Sequence, residues 1–219
     1  MQTPIARAGT AVDATARTLS GFIHGLRLEQ VPAAVSLRAR HLMLDAIGCA
    51  LAARREPFAL RFAQSVHALA RSEGAAQGGR GIFGFAERLP LRDAALLNGV
   101  LSHGLDYDDT HMTGIIHLSV SVLPTVYALA GERRASGAVM LAAYIAALEA
   151  GARIASAARG GFHAHGFHPT GVVGAFASTL AAGRLLGLDA AQLVHAQGVA
   201  LSMASGSLQF IEDGAWTKR

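Results

Sequence analysis

Residues 168–200 read HPTGVVGAFASTLAAGRLLGLDAAQLVHAQGVA. Proline suits the first turn of a helix, where its missing N–H has no partner to lose, so Pro169 opens a helix that runs from Thr170 to Leu186. Gly187 ends it, and Asp189 with Gln192 makes a capping-box-like start for the next. The two elements form a helical hairpin. Gly171, Gly174, Ala175, Ala177 and Ala181 leave room for close backbone approach, which predicts a buried, central position for the first helix.

The same character runs outward from this hairpin. Of the 219 residues 52% are hydrophobic but only 6% aromatic, with Ala and Gly abundant, which favours packed helices over a β-sandwich and predicts an all-α chain. Leu19, Phe22, Ile23 and Leu26 recur at helical spacing. Pro32 opens a helix with Val35, Ala39, Leu42, Ala46 and Cys49 on its core stripe, and another follows Pro57 with Phe58, Phe62, Val66 and Leu69 on one face. A Gly-rich break spans Gly74 to Gly84. Arg92 to Leu105 and Leu118 to Ala130 read as helices, and Ser136 caps a long one through Ala157. Gly160, Gly161 and Gly166 then make a His-rich loop. No fixed repeat or heptad run is present.

The net charge of +4 suits anionic ligands, but the basic residues are scattered, so nucleic acid is not expected as a partner. Cys49 stands alone, which excludes an intrachain disulfide and a Cys-ligated iron–sulfur cluster and fits a reducing cytoplasm. The opening MQTPIARAGT lacks the apolar run of a signal peptide. Gly114 to Gly131 is uncharged, but His117, Ser119, Ser121, Pro124 and Thr125 interrupt it, so no membrane span is expected there.

Two clusters carry the chemistry. HGLDYDDTHMTGIIH gathers His103, Asp106, Asp108, Asp109, Thr110, His111 and His117. Carboxylates at this density are costly to bury unless paired, so a solvated surface loop is one reading and a divalent-metal site another. An EF-hand is excluded, because the sixth loop position is not Gly and the twelfth is not Glu. The DxDDT string from Asp106 to Thr110 resembles the proton-donating motif of class II terpene cyclases, but a single Trp in the chain argues against an aromatic-lined pocket. The second cluster, GGFHAHGFHPTG, holds His163, His165 and His168. His168 sits at a helix start, where the positive dipole end favours a carboxylate ligand. A terminal DGAWTKR places Lys218 near the end, where a lysine is ordinarily just solvated.

LNGVLSHGLDYDDTH, then HLSVSVLPTVYALA, then GFHPTGVVGAFASTLAAGRLLGLDAAQLVHAQGVALSMASG, and finally DGAWTKR resemble the MmgE/PrpD family in order and spacing. The opening LSGFIHGLRLEQVPAAVSLRARHLMLDAIGCALAA resembles that family's first helices. The resemblance implies that residues 1–219 form the family's amino-terminal helical domain, without its α+β lid domain and in a homodimer. It implies a metal-independent lyase with no cofactor, acting on a small polycarboxylate as a 2-methylcitrate dehydratase-type hydro-lyase. An epimerase or decarboxylase of the same family, on iminodisuccinate-like or cis-aconitate-like substrates, is the alternative, as is an inactive dimerising module.

Carried over by motif, the resemblance implies Asp106, His117, His168 and Lys218 as catalytic residues, with Thr110, His117, His168 and Lys218 holding the substrate. A cationic Lys218 and imidazole donors would stabilise an enolate-like intermediate. A neutral His117 or His168 would move the proton, Asp106 would orient a His, and Thr110 would donate to a carboxylate. His117-Leu118-Ser119 departs from the family's usual His-Pro-Ser, and the loop from Thr110 to His117 is about one residue longer than in some relatives.

Overall fold

In the computed structural model, which describes residues 8–72 and 79–214, the hairpin read from residues 168–200 is present and central. The helices are α1 (Ala8–Gly25), α2 (Ala33–Ala53), α3 (Pro57–Ser72), α4 (Leu91–His103), α5 (Ser119–Arg133), α6 (Gly137–Ala157), α7 (Gly161–Ala164), α8 (Pro169–Leu186), α9 (Ala190–Met203) and α10 (Gln209–Asp213). Among the described residues the fold is all-α apart from one small antiparallel hairpin, β1 (Arg80–Gly81) with β2 (Arg88–Leu89).

Helix α8 packs against α5, α6 and α9, and α5 in turn against α4. Small residues make this possible. A Cβ at Gly174 would stand 2.5 Å from Ser121 Oγ of α5, and one at Gly151 of α6 would stand 2.5 Å from Leu118 and 3.2 Å from Ala177. Helix α8 ends at Gly187 in the left-handed conformation, and the Asp189–Gln192 capping box starts α9 as expected. Ser136 caps α6 by accepting from the Val139 N–H. That helix is long and apolar enough to cross a bilayer, yet over half of its most apolar 18-residue stretch is buried, and Tyr144 lies in the core of the fold.

Two stripes differ from the sequence reading. On α2 the buried residues are Ser36, Ala39, Ala46, Ala50 and Ala53, whereas Val35 is exposed. On α3 they are Ala59, Ala63, Val66 and Ala70, with Leu69 exposed. In both helices alanines take the innermost positions, because close helix approach leaves no room for a longer chain there. The Gly-rich break falls partly outside the described residues, and its described end carries the first strand of the β1–β2 hairpin. Buried Asn98 pins that hairpin to α4 by accepting from the Phe83 N–H (2.8 Å) and donating to the Gly81 carbonyl (3.1 Å).

Candidate active site

Helix α4 ends at His103, and Gly104 comes next because a side chain there would run into the Phe58 ring and the Val100 carbonyl. The chain then turns at Asp106, whose φ of 60° is one that Asp tolerates. His111 and Ile116 close the next turn with backbone bonds of 2.9 and 3.4 Å, and Gly114 N–H donates to His111 Nδ1 (3.2 Å). Ile115 is held at φ 48°, a conformation that costs a β-branched residue roughly 1–3 kcal/mol. His117 N–H then donates to Thr170 Oγ1 (3.2 Å), which ties the loop to the first turn of α8.

Asp108 is the centre of this loop. Its side chain is fully buried, and the carboxylate lies 3.2 and 3.1 Å from His103 Nδ1 and 3.1 Å from His117 Nδ1. Burial pushes its pKa up, but hydrogen bonds from His103 and His117 and the attraction of both rings more than reverse this, to about 2. An ionised carboxylate only accepts, so Asp108 takes an Nδ1–H from each ring and fixes its tautomer. The far nitrogen of His117 lies 3.7 Å from Asp106 Oδ1, and Thr110 Oγ1 is 3.4 Å from His117 Nδ1.

In front of the His103 ring is a cleft of about 850 Å³, lined by His103, His168, Thr170, Gly171, Phe210 and Asp213 among others. His168 is the N-cap residue of α8, and its backbone N–H donates to the Gly206 carbonyl (3.1 Å). Its ring stacks on His103 with centroids 6.1 Å apart and meets Phe210 edge-on at 5.2 Å. The side chain does not cap the helix. Gly171 is obligatory here, since a Cβ would stand 2.6 Å from the Ser205 carbonyl. The first turn of α8 therefore brings its positive end to the cleft wall, a setting suited to a carboxylate.

Neighbouring Asp109 is pushed in the opposite direction from Asp108. Burial raises its pKa, a hydrogen bond from Ser119 opposes the rise, and the Asp108 charge adds to it. Ser119 also bonds Tyr144 Oη at 2.5 Å, and burial pushes the Tyr144 phenol well up. A second pocket of about 450 Å³ opens behind this layer, lined by Arg38, Asp109, Thr110 and His111 among others.

The five residues carried over by motif are thus placed unevenly. Asp106, Thr110 and His117 adjoin one another, and His168 joins them through the stacked His103 ring. Thr110 lines the second pocket and His168 the first. Lys218 lies outside the described residues. His165 turns its Nδ1 to the Gly161 carbonyl (2.8 Å), within the turn that precedes His168. Ligand atoms of His103, Asp106, Asp108 and His117 lie within 4.8 Å of one another, close enough for a divalent ion, but the Nδ1 atoms of both rings are joined to Asp108 by hydrogen bonds. Motif reasoning passed over His103 and Asp108 as site residues. The available signal was a His closing a helix with an Asp in the turn after it, within reach of the same ring nitrogen.

Comparison with known proteins gives the family. The family model for the MmgE/PrpD N-terminal domain matches residues 17–219. The cis-aconitate decarboxylase of Aspergillus terreus is 32% identical over 200 residues, which are 89% of this chain and 40% of that protein. The cis-aconitate decarboxylase-like protein oryM of Aspergillus oryzae is 30% identical over 196 residues, 86% of this chain and 40% of its own length. The cis-aconitate decarboxylase of Homo sapiens is 31% identical over 192 residues, 85% of this chain. This chain spans about 40% of the length of these relatives.

Proposed function

Because this chain belongs to the MmgE/PrpD family, we propose that it contributes the helical part of a lyase active site that removes carbon dioxide from a small unsaturated polycarboxylate of the cis-aconitate type. The observation that carries this reading is the cleft itself. Imidazoles of His103 and His168 face it, a buried Asp108 anion fixes the first, and the start of α8 supplies positive potential for a carboxylate.

The chemistry asks for little else. As the carbon–carbon bond to the departing carboxylate breaks, its electron pair passes into the conjugated unsaturation beside a second carboxylate. A proton then adds to the carbon beside that second carboxylate, and the double bond moves to the carbon that lost carbon dioxide. Cationic and hydrogen-bond-donating groups around the retained carboxylates stabilise the developing charge, a role for His168 and Lys218. Asp106 orients the His117 ring from its exposed side.

The hydro-lyase reading, 2-methylcitrate dehydratase-like, draws on the same groups, since loss of water next to a carboxylate also begins with a proton moved at carbon. The names of the relatives favour decarboxylation. The distinguishing experiment incubates the protein with cis-aconitate and, separately, with 2-methylcitrate, reading products by NMR. Carbon dioxide with a dicarboxylate product from the first, and no water loss from the second, is the expected outcome. Water loss from 2-methylcitrate with cis-aconitate left intact would reverse the assignment.

A further inference from the structure

We propose that His103 is the imidazole that carries the proton to substrate carbon in this cleft, with Asp108 as its positioning residue; the inference rests on the polycarboxylate reading above. Among the three imidazoles that meet here, the geometry distinguishes His103. Its side chain is 9% exposed and lines the cleft, and its Nδ1 is taken by Asp108. Its Nε2 is buried with no hydrogen-bond partner among the described residues. A buried imidazole nitrogen left unsatisfied is costly, so such an atom is kept where a ligand will meet it.

His117 is differently placed. Its Nδ1 meets Asp108 and Thr110, its Nε2 faces Asp106, and its backbone is tied to Thr170, so both nitrogens already face protein groups. His168 lies across the stack from His103, at the dipole end of α8, where an anchoring role for a substrate carboxylate is the better match. The two rings divide the labour: His168 holds a carboxylate and His103 serves carbon.

Before the reaction, Nε2 of His103 takes a proton by way of the cleft, and Asp108 at the Nδ1 edge of the ring offsets the imidazolium charge while keeping its Nδ1–H. Carbon dioxide leaves, the bond's electron pair remains on the allylic carbanion, and the Nε2–H bond gives its proton to carbon. The ring returns to the neutral Nδ1–H form. One solvent proton is consumed for each carbon dioxide released. The titratable groups around the ring are Asp106, Asp108 and His117 of the loop, His168 of α8, and Asp213 of α10 on the cleft wall.

The test is NMR of the protein with 15N-labelled histidine rings, the His103 signals being assigned by their loss in His103→Gln. The neutral ring is expected to carry its proton on Nδ1. Adding tricarballylate, a saturated tricarboxylate that cannot react, is expected to shift the His103 Nε2 signal while leaving exposed His24 and His41 unmoved. In Asp108→Asn one amide oxygen replaces the carboxylate that serves two rings, and a second tautomer is expected at His103. A proton found on Nε2 of the neutral ring in the free wild type overturns the inference, as does tricarballylate moving His168 signals but not His103 Nε2. An unaltered tautomer in Asp108→Asn removes the positioning role from Asp108. No shift of any ring overturns the polycarboxylate reading and this inference with it.

Discussion

Asp108→Ala is expected to lower folding stability by about 3 kcal/mol, because it strands two imidazole donors in or near the core and leaves a void between them. Asp106→Ala makes the useful contrast. That carboxylate is 47% exposed and 3.7 Å from His117, so its loss should cost well under about 1 kcal/mol. The Asp108 effect carries a pH signature of definite sign. Its folded pKa, about 2, lies below the ordinary 3.8, so the stabilisation is fully present above the ordinary value and fades as pH falls from there towards 2. The shift corresponds to roughly 2 kcal/mol. Urea unfolding of both proteins between about pH 2 and pH 6 checks this: the curves should converge at the acid end. A constant gap across that window would mean that Asp108 acts through packing and not through its charge.

In a full-length context, His168→Ala and Lys218→Ala should each reduce turnover by about a hundredfold or more, the scale on which a positioned proton or charge contributes, while leaving the fold intact. For His168 the structure gives the reason for a separable effect. Its side chain does not cap α8, and the contact that fixes the helix start is its backbone N–H to the Gly206 carbonyl, which alanine preserves. For Lys218 the expectation rests on its place in the TK motif carried over from the family. The measurement is steady-state turnover of cis-aconitate beside the thermal unfolding midpoint. Unchanged turnover in either variant would take that residue out of the site.

Much of the fold was legible because its punctuation is local. Pro169 at a helix start, Gly187 in the left-handed conformation and the Asp189–Gln192 box each act within a few residues, and each is where the sequence puts it. The buried stripes of α2 and α3 were less legible. Periodicity ranks Val35 and Leu69 above the alanines beside them, whereas the closeness of neighbouring helices selects the alanines, and closeness is set elsewhere in the chain. The site divides in the same way. A polar cluster at residues 103–117 and a His at the start of α8 are visible in order along the chain. That His103 stacks on His168, that Thr170 ties down His117, and that Asp108 rather than Asp106 is the buried carboxylate all depend on how the loop folds back against α8. The β1–β2 hairpin was hidden for a further reason: two-residue strands held by Asn98 leave no periodic pattern.

The direct test of a polycarboxylate site in this cleft is thermal unfolding of the protein in metal-stripped buffer with cis-aconitate, tricarballylate and acetate. At a hundred times its dissociation constant a tricarboxylate should add about 2.7 kcal/mol of stability, with acetate adding nothing comparable and His168→Ala greatly diminishing the gain. Equal midpoints with and without either tricarboxylate, across a cooperative transition, would contradict the site.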